Sequence, residues 1–560
     1  MTKFRNTKLA AQLAATPAKP KLVAAKKIPK PNTVNIQGHQ AYQLDNWLKL
    51  LSILNTSKLE PQSYRSVTGT VADVRKLVSE CAKENPYLTA QCIVYSRCVG
   101  EGMRSVNHLA ATELSKYIGG QDWAKRFYGS WNKKEQKGGT IFRPDDIAEI
   151  VACYTALNPK TITKETRTKV EQVLKNIAIT NAMKKGFKSA LENMDAYSLL
   201  KYKTALLDVI NLVHPSPELS KAKVKYNGKM ISVFEAIMKG YSVSADTHEV
   251  ANSEAGQIVA KAVKEGKITQ TEAKVMLTEA KAENWAGLLK DGKLGILAAL
   301  RNIRNILLNK PDDVTINMLC ALLGNPETIL NGKIMPYQID MAIEVINSEF
   351  NEPKARKIVQ TLNAVYEASL PNLAELLTGD TLVMIDMSGS MTCQMTDGNR
   401  NGKTRYHSTC MDKAALIGAT IAKATNGDII RFGSRAEFVS YNANADVFSI
   451  AKSIKKDMGG TSLASAWRLV SGKNKLYTRI FILSDNECNH GSSYSSYAKY
   501  VQKVGDPYVY SVDMAAYGTT AIAGPKVKYY YGYGFSMFED IASMEFNPRT
   551  HLDKVKKIVI

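Results

Sequence analysis

Thr381-Leu382-Val383-Met384-Ile385-Asp386-Met387-Ser388-Gly389-Ser390 decides how the C-terminal third of the chain folds. The β-branched and apolar run from Thr381 to Ile385 reads as a strand that ends at Asp386. Strand-like runs recur at Asp428 to Phe432, Arg479 to Leu483 and Tyr508 to Val512, separated by helical stretches such as Lys413 to Thr425 and Tyr494 to Val504. Strands alternating with helices predict a doubly wound parallel α/β sheet. Upstream of Pro371 the texture is helical, so the boundary falls near residues 372 to 380.

In open sheets, ligands bind at the carboxyl ends of the strands, which is where Asp386-Met387-Ser388-Gly389-Ser390 stands. One carboxylate and two hydroxyls on a tight loop offer oxygens to a hard cation such as magnesium, directly or through water. Thr461 in the loop Gly459-Gly460-Thr461-Ser462 and Asp485 after the run Ile480 to Leu483 add two more. A DxSxS sequence, a later loop threonine and a later strand-end aspartate, in that order, resemble the metal-ion-dependent adhesion site of von Willebrand factor A domains. The competing reading is that Ser388 and Ser390 cap the next helix. The resemblance implies Mg2+ or another divalent cation on Asp386, Ser388, Ser390, Thr461 and Asp485, with one position left for an anionic partner. A hydrolytic centre is disfavoured: Ser388 lacks a GxSxG elbow, and His407 with Asp412 lies in a glycine- and threonine-rich insertion.

The chain has 560 residues, too many for one core, and 74 Lys plus Arg against 52 Asp plus Glu give a net charge of +22. That excess attracts polyanions and makes nucleic acid the leading partner class. The eight cysteines form no CxxC pair, which argues against structural zinc and for reduced thiols in a cytoplasmic setting. No stretch is apolar enough to span a bilayer, so no membrane partner is expected. Residues 1–32 carry basic side chains amid Ala and Pro without an acidic residue, and are expected to be a disordered arm, either a polybasic RNA contact or a solvated tail.

From about Asn35 to Leu377, amphipathic stripes such as Val71, Val74, Leu77, Val78 and Cys81 recur, with prolines such as Pro86, Pro144, Pro215, Pro326 and Pro353 at their boundaries. Many medium helices joined by turns can stack as a curved solenoid of helix pairs. The stretch Asn35 to Trp47 resembles the start of the TROVE domain of Ro ribonucleoproteins. Lys185 to Leu191, Lys201-Tyr202-Lys203 leading to His214-Pro215, and Leu294 to Ile303 agree with it. The resemblance to the Ro family runs from about residue 33 to the end. It implies a HEAT-like ring or horseshoe over 33–375 and a von Willebrand factor A domain over 376–560. It also implies small Y-type RNA on the outer surface and single-stranded ends of misfolded RNA in the central hole. The sequence departs from the family at Leu59 to Tyr64, where a glycine- and tyrosine-rich stretch is usual, and between Lys203 and His214, which lacks the usual arginine and Gly-Trp turn.

On one helix, Leu199, Tyr202, Leu206, Ile210 and Val213 are expected to form the buried stripe, which turns Lys201 to solvent as a phosphate contact, with Lys203 beside it. His214 reads either as an RNA contact or as a partner of the terminal carbonyls before Pro215. Lys184 with Lys185, and Arg301 with Arg304, either line the RNA path or pack against neighbouring helices. Tyr529 to Phe535 reads as the last strand and turn, with base stacking the other option. The sequence therefore predicts a non-enzymatic, monomeric, cytoplasmic RNA-binding scaffold in RNA stability or quality control. Its expected partners are small noncoding RNA, structured RNA with single-stranded ends and an RNA-processing nuclease. The alternative is a metal-dependent adaptor that grips a partner protein's carboxylate through the A domain.

Overall fold

The computed structural model describes residues 28–57, 62–98, 103–129, 138–153, 179–226, 229–239, 261–370, 373–393, 408–544 and 550–560 except 293, 333 and 533, together with 59 and 259. Contacts divide the chain into two compact units, one of residues 1–44 with 370–550 and one of 45–369 with 551–560. His407, most of the basic arm, and Glu60 and Pro61 lie outside the described residues.

In chain order the described strands are β1 (Thr33–Val34), β2 (Gln40–Gln43), β3 (Lys223–Tyr226), β4 (Lys229–Ser232), β5 (Thr381–Asp386), β6 (Asp428–Phe432), β7 (Ala436–Val439), β8 (Arg479–Ser484), β9 (Tyr508–Asp513), β10 (Thr519–Thr520) and β11 (Val527–Tyr531). The α/β unit is built on a six-stranded sheet of spatial order β11-β9-β8-β5-β6-β7, parallel throughout except for the antiparallel edge strand β7. All six side chains of β5 and of β8 are buried, which explains continuous rather than alternating apolar runs. One face is covered by Leu463, Trp467, Tyr497 and Tyr500, packed on Leu382, Met384, Ile480 and Ile482. On the other face the helix Cys410–Thr425 lies against β5, with Gly418 seated directly on Ile385. The chain leaves β5 toward β6 on one side and returns to β8 on the other. The switch point is therefore at the carboxyl ends of β5 and β8, where side chains from two strands can converge on a ligand.

The segment expected to open the helical domain packs with this unit instead. β1 pairs with β2, and β2 pairs with β10. Asn35 donates its side-chain amide to the Cys488 carbonyl at 2.8 Å. Residues 28–32, expected to belong to a disordered arm, are ordered for the same reason: Ile28 packs on the core and the Pro29 carbonyl accepts from Tyr42 Oη at 2.7 Å. At the other end, residues 551–560 belong with the helical unit, where Gln91 Nε2 donates to the Ile558 carbonyl at 2.6 Å and Arg126 to that of Ile560 at 3.2 Å.

The helical unit runs from Asn46–Thr56 through Val67–Glu84, Pro86–Cys98 and Ser105–Leu114 to Pro353–Ala368. Within the unit Asn181–Asn193 packs on Ala124–Gly129 and on Lys203–Val213, and Ile296–Leu308 on Asp313–Leu323 and Pro336–Glu349. Capping side chains start most of them, such as Asp45, Ser66, Thr180, Asp195 and Asp312. The stripe on Val67–Glu84 is buried at Val74, Val78 and Cys81, with Val71 and Leu77 at its margins. Gly186 lets two helices touch backbone to backbone, since a Cβ there would lie 2.9 Å from the Lys125 carbonyl oxygen.

Two expectations for this half need correction. The helix drawn through Lys201 is two helices, Ala196–Lys201 and Lys203–Val213, broken at Tyr202 (φ −110°, ψ 16°). Tyr202 is only partly buried, with the Arg143 guanidinium over its ring at 5.1 Å, whereas Leu199, Leu206, Ile210 and Val213 are buried as expected. The helical run is also interrupted by a hairpin, β3 with β4.

A buried charge cluster joins three helices of this unit. Asp146 takes Arg97 at 3.1 Å and Arg104 at 2.8 Å, while the fully buried His108 ring sits 3.2 Å from Asp146 and 2.8 Å from Glu149. Burial alone would disfavour a charged imidazole, but hydrogen bonds and charge from Asp146 and Glu149 outweigh it and raise the His108 pKa. Because the folded pKa exceeds the unfolded one, this stabilisation is complete below the ordinary histidine value and is lost as pH rises through the folded value. Asp146, held well below the usual carboxylate range, acts only in the acid region. The urea midpoint of the helical unit is therefore expected to fall as pH rises above about 6.5, and His108→Gln should flatten that slope; an equally steep slope in the variant refutes the assignment.

Candidate metal centre and basic surface

Asp386 is the last residue of β5 and is wholly buried. Its Oδ1 accepts from the Ser388 amide at 2.9 Å, which folds the loop back over the strand end, and its Oδ2 accepts from Ser484 Oγ at 2.5 Å. Ser388 Oγ and Ser390 Oγ lie 3.1 Å apart, and the Ser390 hydroxyl also reaches Asp485. Asp485 follows β8 and is buried, with Oδ1 accepting from the Glu487 amide at 3.1 Å and Oδ2 without a hydrogen-bond partner.

Thr461 reaches the same place on a loop bound to the DxSxS turn. The Gly389 amide donates to the Gly459 carbonyl at 2.8 Å and the Met458 amide to that of Met387 at 2.9 Å. Gly459 takes φ +76°, and the Thr461 amide donates to Asn489 Oδ1 at 2.8 Å. The structure thus brings together Asp386, Ser388, Ser390 and Asp485 and lays the Thr461 loop beside them. Gly389 is exposed and Ser390 partly so, which leaves the serine turn as the open side.

Burial raises the pKa of Asp386, and burial together with the Asp386 charge raises that of Asp485 well above the usual range. Neither forms an ion pair with a described Lys, Arg or His side chain. Two buried neighbouring carboxylates, one with an unpartnered oxygen, carry a large electrostatic cost that a divalent cation would offset. The donor set of carboxylates and hydroxyls suits a hard cation. Among the described residues no three His, Cys, Asp or Glu side chains form a metal-holding group, and the set here has only two carboxylates.

Ser484 and Glu487 escaped the sequence reading. Ser484 stands next to Asp386 by the register of β5 on β8, since Ile385 faces Leu483, a relation visible only once the strands are paired. Glu487 is buried, accepts from the Gln37 amide at 3.3 Å, and has a pKa pushed up to about 7 by burial.

Of the residues expected to contact RNA, Lys184 and Lys185 are exposed on Asn181–Asn193. Lys203 opens, and exposed His214 closes, the helix Lys203–Val213 packed against it. His214 takes the left-handed conformation (φ 50°) and donates its amide to the Ile210 carbonyl, so its backbone ends the helix before Pro215 while its ring stays exposed. Lys201 ends Ala196–Lys201. Arg301 and Arg304 lie elsewhere, on Ile296–Leu308; Arg301 is exposed, while Arg304 pairs with Glu349 of the neighbouring helix at 2.6 Å.

The hairpin adds lysines that were not singled out. Lys221 and Lys223 are exposed, and the Lys221 amide binds the Glu192 carbonyl at the end of Asn181–Asn193. Lys229 and Lys239 are exposed too, and none of Lys184, Lys185, Lys203, Lys221, Lys223, Lys229 or Lys239 forms an ion pair with a described carboxylate. The signal was available: lysines alternate with apolar residues in Lys221-Ala222-Lys223-Val224-Lys225-Tyr226 ahead of Asn227-Gly228, a common hairpin turn pair.

No helix among the described residues is long and apolar enough to cross a membrane. No family model and no curated protein matches the sequence. Among solved structures, the chain is similar to the crystal structure of the Deinococcus radiodurans Ro (RSR) protein, with 14% identity, a TM-score of 0.43, and coverage of 90% of this chain and 100% of that one.

Proposed function

We propose that the chain is an RNA-binding scaffold of the Ro type. The observation that carries this reading is the set of exposed lysines on Asn181–Asn193 and the adjoining hairpin that no described carboxylate neutralises. Charges left unpaired on one stretch of surface attract phosphate, and their counterions are released when RNA binds. The helical unit, as a HEAT-like ring or horseshoe, takes small noncoding RNA on its outer face and single-stranded ends of misfolded RNA within. The α/β unit holds Mg2+ or another divalent cation through Asp386, Ser388, Ser390, Thr461 and Asp485. The three hydroxyls of that set add no negative charge to the two carboxylates, so the ion is balanced rather than over-neutralised and an open position can take an anionic ligand such as a phosphate or a carboxylate. The protein serves RNA stability or quality control in the cytoplasm without cleaving RNA, and a nuclease is a fitting partner.

The test compares a structured RNA bearing a single-stranded 3′ tail with a blunt duplex of equal length across a salt series. Preference for the tailed RNA that survives moderate salt is the expected result. Equal, weak binding to both that collapses with salt rejects the scaffold and leaves the metal-dependent adaptor, whose partner binding would be lost with chelator. RNA cleavage that disappears in Asp386→Ala would overturn the non-enzymatic reading.

A further inference from the structure

The cysteines offer a second chemistry beside the cation site. None of the eight is in a disulfide, yet Cys393 Sγ and Cys410 Sγ lie 3.2 Å apart. The Cys410 amide also donates to the Cys393 carbonyl at 3.3 Å. A direct backbone hydrogen bond sets two Cα atoms on the order of 5–6 Å apart, within the span a disulfide bridges. Cys393 directly follows the 3-10 turn Gly389–Thr392 that carries Ser390, and Cys410 is the first residue of the helix Cys410–Thr425. We propose that Cys393 and Cys410 form a reversible disulfide that fastens the Ser390 turn to this helix.

The two thiols are not equivalent. Cys393 is partly exposed, whereas Cys410 is fully buried, with its thiol 3.4 Å from the Met514 carbonyl. The hydrogen bond to Cys393 and burial push the Cys410 thiol well above its ordinary range. A low-molecular-weight disulfide such as oxidised glutathione therefore meets Cys393 first. The Cys393 thiolate attacks one sulfur of the oxidant, forming a mixed disulfide and expelling one glutathione thiolate. Cys410 then loses its proton and attacks Cys393 Sγ, which breaks the mixed disulfide and expels the second thiolate. Two protein thiols are oxidised, one glutathione disulfide is reduced to two thiols, and the two protons released end on them.

Bonding distance is about 2.05 Å, so closing the pair draws the turn toward the helix by on the order of 1 Å. Magnesium demands near-ideal octahedral geometry, and a displacement of that size three residues from Ser390 weakens its hold. This consequence rests on the cation reading of the site; the disulfide itself does not.

The full-length protein, reduced and desalted, is treated with oxidised glutathione, blocked with iodoacetamide, digested without reductant and analysed by mass spectrometry. The expected product is a Cys393–Cys410 cross-link that dithiothreitol reverses and that Cys393→Ser abolishes. Thermal shift against magnesium, on the wild-type protein before and after oxidation, then reads a midpoint moved roughly three- to tenfold upward. Two alkylated thiols, or a glutathione adduct left on Cys393, overturn the inference. A cross-link with an unchanged midpoint in a protein that does respond to magnesium overturns the coupling to the site. A cross-link in a protein that ignores magnesium in both states supports the thiol pair and counts against the cation.

Discussion

Magnesium is expected to raise the melting temperature of the α/β unit, and Asp485→Asn to abolish that response while raising the melting temperature measured in chelator. The two effects share one cause. Asp386 and Asp485 are buried together at the ends of β5 and β8, each raising the cost of the other's charge. Without a cation the fold bears that cost; with one, the same oxygens gain a partner the unfolded chain cannot offer. At a free magnesium concentration of 100 times Kd the stabilisation is about 2.7 kcal/mol, or roughly 5–10 °C for a unit of this size. The amide introduced by Asp485→Asn would keep the size of the carboxylate and an oxygen able to accept from the Glu487 amide, bound at 3.1 Å by Asp485 Oδ1. It would lose the charge that repels Asp386 and that holds the ion. Scanning calorimetry of both proteins with chelator and with magnesium separates the possibilities. A variant less stable than wild type in chelator, with its magnesium response intact, would show that Asp485 is a structural strand-end residue.

The features legible in the sequence were those enforced over short distances. β5, β6, β8 and β9 were found within one residue because strands covered on both faces must be apolar along their length. The DxSxS loop followed from β5, and the aspartate after β8 from the rule that places ligands at strand ends. Features fixed by distant partners were not legible. Nothing local announces that β2 pairs with β10, or that Asn35 binds the carbonyl of Cys488, 453 positions away. Ser484 looks like any serine until β5 and β8 are set in register. The break at Tyr202 is illegible for a different reason: the apolar spacing continues through it, and the residue its ring meets, Arg143, lies far from it in sequence. The hairpin beyond Pro217 is the one omission that local reasoning should have avoided, since alternation and a turn pair are both written there.

That hairpin governs the second large effect. Replacing Lys184, Lys185, Lys221 and Lys223 together by alanine is expected to weaken binding of a tailed RNA about a hundredfold near 0.15 M salt. The slope of log affinity against log salt should fall in magnitude by about 3, or roughly 0.7–0.9 for each phosphate contact removed. All four side chains are exposed and none is engaged by a described carboxylate, so their loss leaves the packing of Asn181–Asn193, carried by Met183, Gly186, Phe187, Ala190 and Leu191, untouched. Arg304→Ala supplies the contrast. Its guanidinium is already bound through Nε to Glu349 at 2.6 Å, whose carboxylate offsets its charge toward phosphate, and its removal is expected to change RNA affinity no more than about twofold. Filter binding at four salt concentrations distinguishes a located surface from diffuse attraction. If charge alone draws RNA to this basic chain, four lysines taken from anywhere cost the same, and a control with exposed Lys264 and, on the helix Gln270–Lys290, exposed Lys274, Lys281 and Lys290 replaced will match the test variant in both affinity and slope. If RNA follows the surface formed by the helix Asn181–Asn193 and the hairpin, the control stays near wild type and only the test variant shows the weaker affinity and the shallower salt slope.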